Sequence, residues 1–175
     1  MAETLKTLES RRSCRAYKAE LIEEEKLQAI IKAGTYAASG MGKQSAIIIA
    51  VTNRELRDKI SAMNAAIMGQ KEGFDPFYGA PEMLIVLADK NVRTHVYDGA
   101  LVIGNIMNAA ADLGVGSCWI HRAKEEFESE EGKAILKGLG IEGDYEGIGH
   151  VALGYEAVPA KEAAPRKENF VYYAR

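Results

Sequence analysis

Three arginines stand within five residues of one another near the start of the chain: Arg11, Arg12 and Arg15. A guanidinium presents paired donors at the spacing of a phosphate or carboxylate, so such a cluster in an acidic chain is a candidate anion site. A second basic pair, Arg166 and Lys167, follows Pro165 in the C-terminal tail. Each cluster also has a plain reading, the first as charges offsetting the dipole of a short helix, the second as a solvated patch. Neither cluster alone separates the two readings.

Several other patterns fail on context. SGMGKQS (39–45) suggests a phosphate-binding loop, but the position five before Gly42 is Ala37 and Lys43 is followed by Gln44. A helix also precedes this segment where that motif needs a strand. Gly138, Gly140 and Gly143 satisfy G-x-G-x-x-G literally, yet they close a helix instead of opening one, as a C-cap and turn would. His95, His121 and His150 have no ligand-type neighbours at metal spacing, so no metal site is read. No Ser/His/Asp or Cys/His arrangement emerges from spacing, and no side chain is assigned a catalytic role.

The 175 residues suit one domain, read as 1–175, with a tail from 156 to 175. Net charge of −3 and a pI near 5.7 leave no global field for nucleic acid or an anionic membrane. Hydrophobic and charged shares of 47% and 27% are those of a globular chain. No apolar run reaches the roughly 18 residues of a membrane span, and the polar first twelve residues do not read as a signal peptide. Cys14 and Cys118 cannot by themselves make a disulfide framework or a zinc site. A soluble, cytoplasmic protein is expected. Glycine is enriched at 17 residues, many of them in short loops beside apolar segments, where a ligand can approach the backbone closely.

The elements that must position these groups follow from apolar period. A short helix is read at 3–10, with Leu5 and Leu8 on one side. Another begins near Glu23, where Glu23, Glu24 and Glu25 suit the positive end of its dipole, and carries Leu27, Ile30 and Ile31. AIIIAVT (46–52) is a buried strand. Asn53 can cap a helix reaching about Gln70, with Leu56, Ile60, Met63 and Ile67 on one face. MLIVLAD (83–89) is a second buried strand. The helix over 94–113 is apolar nearly all round and needs cover all round, which a second subunit can supply. VGSCWI (115–120) is a third strand, a charged helix runs over about 125–138, and GIGHVALGY (147–155) is a fourth strand. These elements make one layered α/β-type domain with helices on both sides of a sheet.

Four segments occur in a fixed order: R-R-S-x-R-x-Y, A-x-S-G-x-x-x-Q, G-x-G-S-C-W-I, and H-V-A-L-G-Y followed by P-R-K. Together they resemble the nitroreductase family of flavin mononucleotide (FMN) oxidoreductases in its short form, from Arg11 to Lys167. The resemblance implies an α+β, nitroreductase-like fold with a central, mostly antiparallel mixed sheet, helices on both faces, and a homodimer with tightly bound FMN at the subunit interface. It implies that Arg11, Arg166 and Lys167 hold the flavin phosphate. Arg12, Ser13 and Arg15 would lie along the ribityl chain and the pyrimidine edge, where a cation favours the anionic reduced ring. Ser39, Gly40, Met41 and Gln44 would reach the flavin of the other subunit, and Asn64 the ring edge. Ser117, Cys118, Trp119 and Ile120 would pass beside the ring with backbone groups near N5. The asparagine, proline and tryptophan of the family's S-x-x-N-x-Q-P-W are absent, so the substrate preference of that wall does not carry over; Lys43 is expected to add positive charge there.

The activity so implied is ping-pong: NAD(P)H gives hydride to flavin N5, leaves, and a nitroaromatic, quinone or similar small-molecule acceptor takes the electrons in its place. Alternatives are a flavin-binding carrier or redox sensor, a relative with another flavin chemistry such as dehalogenation or flavin fragmentation, and a dimeric domain binding a different phosphate ligand. Cys118 and Trp119 also read as core residues, and Tyr78 as loop packing.

Overall fold

The computed structural model describes residues 3–175; Met1 and Ala2 lie outside the described residues. Four strands form one sheet in the order β1-β2-β4-β3, with β1 at Ala46–Val51, β2 at Glu82–Asp89, β3 at Gly116–Ile120 and β4 at Tyr145–Gly154. Every ladder is antiparallel, in line with the mostly antiparallel sheet that the resemblance implies. The one parallel pairing among the described residues is an isolated bridge from Ser13 to Ser117 of β3.

Alternation along β2 explains the layers. Met83, Ile85 and Leu87 face one core with Phe77 and Phe127, while Leu84 and Val86 face the other with Ile30, Ile103 and Ile106. The first layer is α3 (Arg54–Ile67), α5 (Ala123–Glu128) and α6 (Glu130–Gly138); the second is α2 (Glu24–Thr35) and α4 (His95–Asp112). Asn53 caps α3 as its position implies, its Oδ1 accepting from Leu56 N at 2.9 Å.

Two expectations need correction. The helix read over 125–138 is two helices that break at Ser129, which is extended (ψ 158). The Ser129 hydroxyl donates to the Glu126 carbonyl at 2.6 Å and accepts from Gly132 N at 3.0 Å, so a local side chain outcompetes the helical ladder. Second, β1 is not the buried strand that its apolar run implies, because it lies at the sheet edge and buries only Ile49 and Val51. Helix α4 is covered by its own chain on part of its surface. Asp98, Val102, Ile103, Ile106 and Ala110 are buried, but Val96, Tyr97 and Leu101 stand exposed. The short helix α1 (Glu3–Ser10) lies against the far end of α4, where Thr7 Oγ1 bonds Asp112 Oδ1 at 2.9 Å, and its Leu5 and Leu8 are exposed too.

The register of β4 slips by one residue at Ile148. Beside the slip, the indole of Trp119 lies across Gly149, where a Cβ would stand 2.4 Å from Nε1. Glycine is required there for β3 to carry tryptophan. Gly140 (φ 70) closes α6, so the literal G-x-G-x-x-G is a helix terminus.

Candidate flavin site

Residues 11–17 run along the outer edge of β3 and are clamped on both sides. Cys14 N bonds the Ser117 carbonyl at 2.9 Å, Lys18 N bonds Tyr155 O and Ala157 N bonds Ala16 O, each at 2.9 Å. The Tyr17 hydroxyl donates to Cys14 O at 3.1 Å. The first and third sequence segments, about a hundred residues apart in the chain, therefore meet at the Ser13–Ser117 bridge.

This clamp builds a cleft of about 650 Å³. Arg11, Arg12, Ser13 and Arg15 form one bank, and the tail from Val158 to Ala164 with Arg166 forms the other. A smaller cleft of about 380 Å³ continues past Arg11 to Ser117 and Lys18. Lys167 does not line either; its ammonium lies 5.5 Å from the centre of the Phe170 ring. Arg12 Nη1 caps the end of α1, bonding Glu9 O and Arg11 O at 2.7 Å each.

The polar inventory of this junction is incomplete. Arg11 Nη1, Arg12 Nε and Ser117 Oγ are buried with no hydrogen-bond partner. Buried donors are rarely left unpaired, because each forfeits its hydration for nothing. Three of them around one bridge, at the meeting of the two clefts, fit an anionic ligand with hydroxyl oxygens. The Cys118 thiol faces the core, where burial raises it above its ordinary value against the pull of Arg15, the Ser13 hydroxyl and Arg11.

The Ser117 carbonyl points outward to Cys14, so strand alternation turns the backbone N–H and C=O of Trp119 to the same open edge. Ile120 is buried in the core and can offer a ligand only its backbone. Asn64 is wholly enclosed in α3. Its Nδ2 donates to the His121 carbonyl and its Oδ1 accepts from Arg122 Nε, both at 2.9 Å.

The segment 39–45 lies elsewhere. Asp98, buried in the first turn of α4, gathers it: Oδ1 accepts from Gly40 N at 2.9 Å, and Oδ2 from Ser45 Oγ at 2.6 Å and Thr94 Oγ1 at 3.1 Å. The Ser39 hydroxyl accepts from Gln44 N at 3.0 Å. Met41 and Gln44 hold left-handed backbone (φ 53 and 49), and Met41, Lys43 and Gln44 project into solvent. Gly114 and Ala111, at the other end of α4, border the arginine cleft. With a rise of 1.5 Å per residue, Asp98 and Ala111 are about 20 Å apart, so the two groups of predicted residues share no cleft within one chain.

Two residues that sequence reasoning did not single out shape these regions. Asp98 had a signal, an acid in the first turn of an otherwise apolar helix. Arg122 had none, since its left-handed backbone (φ 78) is visible only in the fold.

Residues 8–155 match the sequence profile of the nitroreductase family. The chain belongs to that family. A nitroreductase with bound FMN from Bacteroides fragilis is 32% identical, superposes with a TM-score of 0.89 and is covered over 100% of both chains. A second nitroreductase with bound FMN, from Desulfitobacterium hafniense, is 30% identical with a TM-score of 0.89, covering 99% of this chain and 100% of its own. A protein of Archaeoglobus fulgidus, named provisionally as an NADH dehydrogenase/NAD(P)H nitroreductase, is 32% identical over 89% of this chain and 86% of itself. The antiparallel four-stranded sheet with helices on both faces is thus the nitroreductase α+β fold. No helix among the described residues is long and apolar enough to cross a membrane.

Proposed function

We propose that the chain is an FMN-dependent oxidoreductase that takes electrons from NAD(P)H and passes them to a small nitroaromatic or quinone-type acceptor. The observation that carries this reading is the trio of buried, partnerless groups at Arg11, Arg12 and Ser117, beside a cleft with Arg166 on its far bank. Residues 1–175 act as a single FMN-binding domain whose tail supplies part of the phosphate site. FMN, when bound, supplies the hydride and electron exchange; the protein's task is position and charge.

Arg11 and Arg166, with Lys167 beside it, hold the phosphate by charge-assisted hydrogen bonds. Arg12 Nε and the hydroxyls of Ser13 and Ser117 take the polyol. Arg15, exposed on the same bank, places a cation at the pyrimidine end, where negative charge accumulates on reduction. The open edge of β3 at Trp119 offers backbone groups in line with the ring. The segment 39–45 is supplied to the site by a second copy, since it lies at the opposite end of α4 from its own chain's arginines. The exposed stripe of Val96, Tyr97 and Leu101, together with Leu5 and Leu8, supports a homodimer as that second copy's source. No acid–base pair is invoked, and a cytoplasmic location fits the reading.

Arg11→Ala combined with Arg166→Ala is expected to purify colourless and to take up added FMN poorly, while the wild type is yellow and bleaches anaerobically with NADH or NADPH. A double variant that keeps its full flavin refutes the phosphate assignment. A wild-type flavin that neither donor bleaches refutes the oxidoreductase reading.

A further inference from the structure

Among the described residues four non-glycine residues hold left-handed backbone, and Arg122 (φ 78) is the one that lies two residues past the end of β3. Such a conformation is strained for an arginine and persists only where its surroundings impose it. A single buried amide does so here. Asn64 Oδ1 accepts from Arg122 Nε while Asn64 Nδ2 donates to the adjacent His121 carbonyl, both at 2.9 Å. Only this orientation of the amide satisfies both neighbours. The guanidinium is therefore held by its inner nitrogen. Its two Nη groups have no hydrogen-bond or ion-pair partner among the described residues.

The cleft beside it has a volume of about 590 Å³ and opens at the end of the β3 edge. Its apolar lining is Trp119, Ile148, Val96 and Ala100, with the His121 ring tilted at 36° to the Trp119 ring, 5.9 Å away. The lysine at the same rim is already paired: Lys124 Nζ lies 3.5 Å from the Glu146 carboxylate. Arg122 is thus the uncommitted fork at the rim of an aromatic-floored cleft, and Glu125 and Glu146 at the same rim disfavour a multiply charged ligand.

This inference rests on the flavin oxidoreductase reading and names its acceptor class. We propose that Arg122 is a specificity-determining residue of an acceptor subsite for planar aromatic compounds carrying one carboxylate or sulfonate. The ring of the acceptor packs on Trp119 and His121, and its anionic group takes the two free Nη donors.

Trp119 is the single tryptophan of the chain, so its fluorescence reports from the floor of the subsite whether or not flavin turns over. The purified protein is titrated with 1,4-naphthoquinone-2-sulfonate and with uncharged 1,4-naphthoquinone. The sulfonate is expected to quench with about tenfold higher affinity at low salt, the scale of one charge-assisted contact, and to lose most of that advantage by about 0.5 M salt. Arg122→Gly suits the left-handed backbone, and in it the two quinones are expected to bind alike; Arg122→Lys restores part of the preference. The ratio of kcat/KM values for the two acceptors should follow the same order, through KM. Equal affinities in the wild type, or a preference that survives Arg122→Gly, overturn the proposal. If Arg122→Gly fails to fold, the wild-type comparison and its salt dependence decide the matter. A protein that shows the anion preference but holds no reducible flavin keeps the subsite and loses the flavin reading. One that reduces its flavin and shows no preference loses the subsite alone.

Discussion

Asp98→Ala tests how the segment 39–45 is presented. The carboxylate is 3% exposed and accepts three hydrogen bonds, from Gly40 N, Ser45 Oγ and Thr94 Oγ1. Hydrogen bonds to a charged group contribute roughly 1.5–3 kcal/mol each, and a buried hydroxyl left unpaired costs about 1–3 kcal/mol. Thr94 and the Gly40 amide can turn to water once freed, whereas Ser45 is buried, so a total loss of about 3–5 kcal/mol is expected. Against a domain stability of roughly 5–15 kcal/mol that is a large share. With a urea dependence of about 2 kcal/mol per molar, the midpoint should fall by about 2 M at unchanged slope.

Ser45→Ala alone should cost about 1–2 kcal/mol but close to nothing in the Asp98→Ala background, where it removes the orphaned hydroxyl. A cost for Asp98→Ala below about 1 kcal/mol, or two effects that add within roughly 0.5 kcal/mol, refutes the anchoring role. Acid gives a second reading. Burial pushes the Asp98 carboxyl up, but the Ser45 hydroxyl, the Gly40 amide, Thr94 and His95 outweigh it and hold the group below its usual range. A carboxyl lowered by folding contributes fully above its unfolded value of about 3.9 and loses that contribution as pH falls through the lowered value. The stability difference between wild type and Asp98→Ala should therefore be flat above about pH 5 and shrink below about pH 4.

Two further outcomes are expected. Gly149→Ala would set a Cβ 2.4 Å from Trp119 Nε1 and 3.1 Å from Ile103 Cδ1, so the indole must move. The loss is about 1–3 kcal/mol, and the single tryptophan's emission shifts; unchanged emission contradicts this account of the glycine. Lys43→Ala should lower the flavin reduction potential and slow turnover if 39–45 reaches the partner's flavin. Redox titration that finds the potential and turnover unchanged removes Lys43 from the site.

Much was legible because it is local. Asn53 caps α3 through a neighbour three residues on, and the apolar run at 83–89 is buried as its composition implies, whereas the run at 46–51 lies at the sheet edge and buries only Ile49 and Val51. The break at Ser129 was hidden because charged periodicity continues across it, while one hydroxyl bonding to Glu126 and Gly132 ends the helix. The apolar character of 94–113 says that cover is needed but not which neighbours give it; the chain itself covers only part of the helix.

The sequence by itself determined the elements, the basic clusters and the order of segments that marks the family, all of which depend on residue type and near spacing. Only the tertiary structure decided which of those residues meet. It joined Ser13 to Ser117 across the edge of β3, enclosed Asn64 under Arg122, and set 39–45 at the far end of α4 from Arg11. The physical reason is that hydrogen-bond partners distant in the chain are chosen by the packed sheet and helices. No local propensity carries the satisfaction of Asp98 or the left-handed turn at Arg122.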